Sequence, residues 1–133
     1  MKRTIRMLFV SSLLLILAAA LTGCATRRTL PPDWYEVTGS GVINPNLPVA
    51  QGRLMAERAA KADAYRQLME TAKGLRLESG TTVENFMAKN DYINSQVNGI
   101  IRGAIQESSM VTPDGAVEVR MKMDLNNIRN LVR

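Results

Sequence analysis

Histidine is absent from this chain of 133 residues, and cysteine occurs once. The first absence removes the commonest general base and the commonest metal ligand. The second means that no disulfide can close within the chain. No group of side chains has the spacing of a zinc site. The carboxylates are scattered, most of them beside basic residues, and no local sequence sets two of them up for acid–base work. The expectation is a protein that is not an enzyme, with no catalytic residues, no cofactor and no metal. A long apolar run is missing too. The stretch from Met7 to Leu21, broken only by Ser11 and Ser12, is about 15 residues, short of the roughly 20 that cross a bilayer as a permanent helix.

What is there gives that short run a meaning. A basic head (Lys2, Arg3, Arg6) precedes it, and Leu21-Thr22-Gly23-Cys24 follows it. This is the layout of a secretory signal with a small residue at the cut. The pattern resembles the bacterial lipobox, with cleavage between Gly23 and Cys24. The Cys24 thiol is the one good nucleophile in the stretch for taking up lipid. The resemblance implies a diacylglycerol on Cys24 and a further acyl chain on its new N-terminus. One acyl chain binds a membrane reversibly, whereas three would hold effectively for good. Residues 1–23 are therefore expected to be a discarded signal. The mature chain would begin at a lipid anchor.

Removing Lys2, Arg3 and Arg6 from the 17 basic residues leaves 14 against 12 acidic ones. The high isoelectric point thus partly describes the leader, and a nucleic-acid partner loses its main support. Acidic and basic residues also alternate instead of forming a block. Residues 24–33 read as a tether: Pro31-Pro32 favours an extended chain. Arg27 and Arg28 stand either as solvated charges or as partners of anionic headgroups. Ala25 replaces the Asp that, in enterobacterial lipoproteins, favours retention in the inner membrane. The outer membrane is the expected location.

Residues 34–133 are enough for one small domain. Trp34 to Ile43 alternates as a strand. Gly39 and Gly41 on one of its faces leave room for close packing, most simply of a helix. A phosphate-cradling loop would need a further glycine, a lysine and an immediate helix, which are missing. After a turn at residues 44–48, Val49 to Lys73 reads as a helix, stopped by Gly74. Its apolar stripe is expected at Met55, Ala59, Ala62, Tyr65, Met69 and Ala72, widened by Leu54, Ala64 and Leu68. Glu57–Lys61 and Arg66–Glu70 are spaced for ion pairs. Residues 75–78 alternate as a short second strand. Residues 81–89 suit either strand or helix. A short helix is expected from Asp91 to Asn98, ended by Gly99, then a strand from Ile101 to Val111. Thr112-Pro113-Asp114-Gly115 is a hairpin turn. The last strand carries Val117, Val119, Met121, Met123 and Leu125 on one face, with charged residues on the other. Residues 126–133 close in a helical turn. The fold class is α+β: an antiparallel sheet of three to four strands, covered on one face by one long and one shorter helix.

The stretch from Arg53 to Leu125 resembles the small bacterial lipoproteins of the LPP-twenty type, which include the flagellar FlgP proteins. Arg58-Ala59-Ala60, Asp63-Ala64-Tyr65-Arg66-Gln67-Leu68, Lys73-Gly74-Leu75-Arg76-Leu77, Thr81-Thr82-Val83, Phe86, Asp91-Tyr92-Ile93, Val97-Asn98-Gly99, Arg102-Gly103-Ala104 and Pro113-Asp114-Gly115 carry it, in order. In the FlgP type, the resemblance implies a lipoprotein on the periplasmic face of the outer membrane. It would assemble into rings or disks around the flagellar basal body and be needed for motility. Its partners would be the membrane, other copies of itself and further flagellar ring proteins. Other members are surface antigens. The rival reading is a monomeric lipoprotein that captures a ligand or a cell-wall component. Asp63 and Arg66 are either solvated helix charges or subunit contacts. Arg102, between Gly99 and Gly103 at an expected strand start, is a third candidate contact. Met55, Met69, Met121 and Met123 lie on apolar faces, as core packing requires.

Overall fold

The computed structural model describes residues 31–132. The elements run in the order β1 (Trp34–Val42), α1 (Val49–Gly74), α2 (Val83–Lys89), α3 (Asp91–Arg102), β2 (Ile105–Val111), β3 (Ala116–Asp124) and α4 (Leu125–Leu131). The class is α+β, with one three-stranded antiparallel sheet in the order β1-β3-β2. Gly23, Cys24, Arg27 and Arg28 lie outside the described residues.

Strand β3 takes the centre because its alternation is the cleanest. Val117, Val119, Met121 and Met123 are buried, while Arg120 is exposed. It pairs with β1 along nine residues, from Trp34↔Asp124 to Val42↔Ala116. The hairpin from β2 turns at residues 112–115. Gly115 sits at φ 81°, the left-handed region where a side chain would be strained. Thr112 N donates to the Ala116 carbonyl at 2.9 Å and closes the turn.

Helix α1 lies against β1 through its smallest residues. Its buried positions are Gly52, Ala56, Ala60, Ala64, Leu68 and Ala72, a strict four-residue repeat. That corrects the expected stripe. Leu54, Met55, Ala59 and Ala62 are exposed, and Tyr65 and Met69 are only half-buried. The reason is on the strand. A Cβ on Gly39 would stand 2.1 Å from the Ala60 carbonyl oxygen, and one on Gly41 2.1 Å from that of Ala56. Backbone meets backbone at these points, so the helix turns its alanine row inward. Bulky Leu54 and Met55 are displaced to solvent. Met55 therefore does not pack in the core.

Three further expectations are corrected, at residues 75–78, Gly99 and Leu125, and residues 81–89, open to strand or helix, are decided. Residues 75–78 form no sheet strand. They contribute only an isolated bridge, Arg76↔Thr82. Residues 83–89 are helical, because the Thr82 hydroxyl caps the Asn85 N–H at 3.4 Å. Gly99 does not end its helix, which runs on to Arg102. Ile101 is buried in it, and the strand starts only at Ile105. Asn90 opens that helix by accepting from Tyr92 N and Ile93 N. Leu125, expected to end the last strand, begins α4, which Asp124 caps through Asn126 N at 3.0 Å.

The core gathers Leu68, Val83, Val97, Val117, Val119, Met121 and Ile128, all essentially without exposure. Each contributes roughly 1.5–3 kcal/mol by leaving water. Residues 31–33, expected in the tether, are bonded into this body. Asn126 Nδ2 donates to the Pro31 carbonyl at 2.8 Å, Leu125 N to that of Asp33 at 2.9 Å, and Arg129 pairs with the Asp33 carboxylate.

Candidate functional site

The two outer edges of the sheet are treated differently by the rest of the chain. Among the described residues, strand β1 has no sheet neighbour on its far side, yet helix α1 reaches round to it. Gln67 Nε2 donates to the Thr38 carbonyl at 3.0 Å, and Ser40 N donates to Asp63 Oδ2 at 3.3 Å. The spacing of Asp63 and Gln67, one helical turn, matches that of Thr38 and Ser40, two residues along a strand. Gln67 also donates to Asp63 Oδ2 at 3.0 Å. Arg66 clamps the other carboxylate oxygen at 2.8 Å and reaches Glu70 at 2.7 Å.

This network sets the charge state of the pair. The hydrogen bond from Arg66 holds the Asp63 carboxyl below its ordinary range. Burial opposes this, and Gln67 and the Ser40 N–H add to the lowering. Arg66 is raised in return, chiefly by Asp63 and then by Glu70. Of the two charges singled out from sequence, Asp63 is committed to its own chain, covering a strand edge. Arg66 supports it while remaining mostly in solvent.

Among the described residues, no strand pairs with β2 on its far side. Its outer-face residues Ile105, Ser108 and Met110 pair with Lys122, Arg120 and Glu118. Its inner-face residues Gln106, Ser109 and Val111 pair with Met121, Val119 and Val117. A bulge between Gln106 and Ser108 inserts Glu107. This extra residue shifts the alternation and brings Ile105 and Met110 to the same face. No described helix packs closely on β2. Ile105 is 48% exposed, Met110 50% and Val111 43%. Glu107 forms an ion pair with Lys122, whose ammonium also stands 5.0 Å from the Trp34 ring centre. The long helix thus packs against β1 and β3.

Arg102 ends helix α3, three residues before β2, exposed and without an ion-pair partner among the described residues. A cation there suits the negative end of the helix dipole. It is not at a strand start, and the structure does not bring it together with Asp63 and Arg66. Gln67, Ser40, Glu107 and the exposed apolar residues of β2 do not stand out in the sequence as functional residues. One signal for the last was present: residues 105–111 show no two-residue alternation, as fits a strand with neither face buried.

A groove of about 580 Å³ lies elsewhere, between residues 76–79 and the end of α4. Leu77, Phe86 and Val132 supply its apolar lining, and Arg76, Glu78, Ser79 and Arg129 its polar lining. Among the described residues, no three acidic, cysteine or histidine side chains gather as metal ligands, and no helix is long and apolar enough to cross a membrane. No family model, curated protein or solved structure matches this chain.

Proposed function

We propose that this protein is a structural lipoprotein of the outer membrane, held on the periplasmic face by acyl chains on Cys24. Its α+β domain self-associates into a ring or disk of the flagellar basal body and is needed for motility. The observation that supports self-association is the contrast between the two sheet edges. The described residues cover one with Asp63 and Gln67 and leave the other bare, with Ile105, Met110 and Val111 in solvent. An open apolar edge is an interaction liability that monomeric proteins blunt. The anchor would confine copies to two dimensions and raise their effective concentration, so modest contacts suffice. The basal-body placement rests on the resemblance to FlgP-type lipoproteins.

The test uses protein extracted from the membranes of its native host. Intact mass is expected to exceed that of residues 24–133 by the mass of the acyl chains. Electron microscopy is expected to show radial assemblies, and a deletion strain should lose swimming. A chain of unadorned mass would remove the anchor.

The groove favours a second reading, a lipoprotein that binds a ligand or cell-wall component between Phe86 and the two arginines. A protein that stays monomeric at high concentration, from a gene whose loss leaves swimming normal, would decide for it.

A further inference from the structure

We propose that β2 is the junction between two copies of this chain, paired antiparallel about a two-fold axis passing between Glu107 and Ser108. The proposal rests on the scaffold reading and names its contact.

The pattern along β2 is what selects a second copy as the occupant. On its outer face the strand carries an apolar residue at each end, Ile105 and Met110, with Glu107 and Ser108 between them. A two-fold axis through the middle sets Ile105 against the partner's Met110, and does so twice. On the inner face it sets Gln106 against the partner's Ser109 and Val111 against the partner's Ala104. Every contact is apolar on apolar or polar on polar. An isologous interface needs this self-complementarity, and a foreign strand would not.

The bulge is essential to the match. Without the extra residue, Ile105 and Met110 would alternate to opposite faces. Charge does not oppose the contact. Glu107 is the only charged residue of β2, and Lys122 of the same chain neutralises it. The strand has no proline and no lysine of its own, the residues that commonly guard an edge. The sheet of each copy has one other edge, and Asp63 and Gln67 occupy it. Pairing through β2 therefore joins two three-stranded sheets into one of six strands and then stops. A ring would be built from such dimers through a second surface.

A charge swap on the full lipidated chain in detergent micelles tests the register. Ile105→Lys and Met110→Glu are each made alone and then together, with Val42→Lys on the covered edge as control. All three sites are exposed, so the variants are expected to melt with the parent, and circular dichroism checks this. Sedimentation velocity should show each single change weakening the dimer about tenfold or more, and the double variant returning to within about threefold of the parent. The rescue arises only if the introduced ammonium meets the partner's introduced carboxylate. Single variants that associate like the parent, or a double variant no better than the singles, would overturn the β2 junction and leave the scaffold standing. A parent chain that is monomeric at every concentration would overturn both.

Discussion

A Cβ placed on Gly39 would lie 2.5 Å from the backbone nitrogen of Ala64, on the helix that crosses it. The obstacle is backbone, which cannot swing aside as a side chain can. Strand and helix are therefore as close as two main chains can come. Gly39→Val is expected to force them apart and destabilise the domain by about 3 kcal/mol, read by urea unfolding. Gly99→Ala is the matched control. It lies inside a helix with nothing within 4 Å of its would-be Cβ, and alanine there should stabilise by roughly 0.5–1 kcal/mol. Equal effects at the two positions would count against the close approach.

Two large apolar residues of α1 should behave oppositely. Leu68 has no exposed surface, whereas Met55 is 52% exposed. Leu68→Ala should cost about 2–5 kcal/mol, and Met55→Ala within about 0.5 kcal/mol of nothing. Thermal melting of the two variants separates them, and a larger loss at Met55 would mean that the helix is rotated from the orientation described.

Acid should act partly through Asp63. Its folded carboxyl titrates below the ordinary 3.8, chiefly because Arg66 binds the ionised form. The stabilisation is thus complete above the unfolded pKa and fades as pH falls through the lower folded value. Asp63→Asn should flatten the dependence of stability on pH below about pH 4 and leave the slope at neutral pH unchanged. Asp114, held low mainly by Thr112, keeps some slope in the variant. Identical acid limbs for parent and variant would rule out this role.

Removing the cover from β1 should give that strand new partners. The doubly substituted Asp63→Ala, Gln67→Ala chain loses the side-chain bonds to Ser40 N and to the Thr38 carbonyl. Light scattering is expected to reveal open-ended association, because both sheet edges are then bare. A variant no larger than the parent would show that the two side chains do not guard the edge.

Periodicity made some elements plain before any coordinates. The alternation of Val117, Val119, Met121 and Met123 specified both strand and buried face, and Pro113-Asp114-Gly115 specified the turn. Gly39 and Gly41 announced a close neighbour. Periodicity does not reveal the inward face of α1, because Met55 and Leu54 outrank alanine in hydrophobicity while Gly39 and Gly41 leave room only for the alanines at 56, 60 and 64. Gly99 suggested a helix end that the packing of Ile101 overrides. Asp63 and Arg66 stood out as a charged pair, yet Thr38 and Ser40, which give Asp63 and Gln67 their task, lie more than twenty residues away.

Local chemistry is written in neighbouring residues, so the chain alone determined strand β1, the turn at residues 112–115, how β3 faces, and the lipobox-like order of head, core, small residue and cysteine. Which helix face meets the sheet, which edge is covered and which is bare depend on groups far apart in sequence. Only folding brought Gly39 to Ala60, Asp63 to Ser40 and Glu107 to Lys122, because steric fit and hydrogen bonding act across space without regard to separation along the chain.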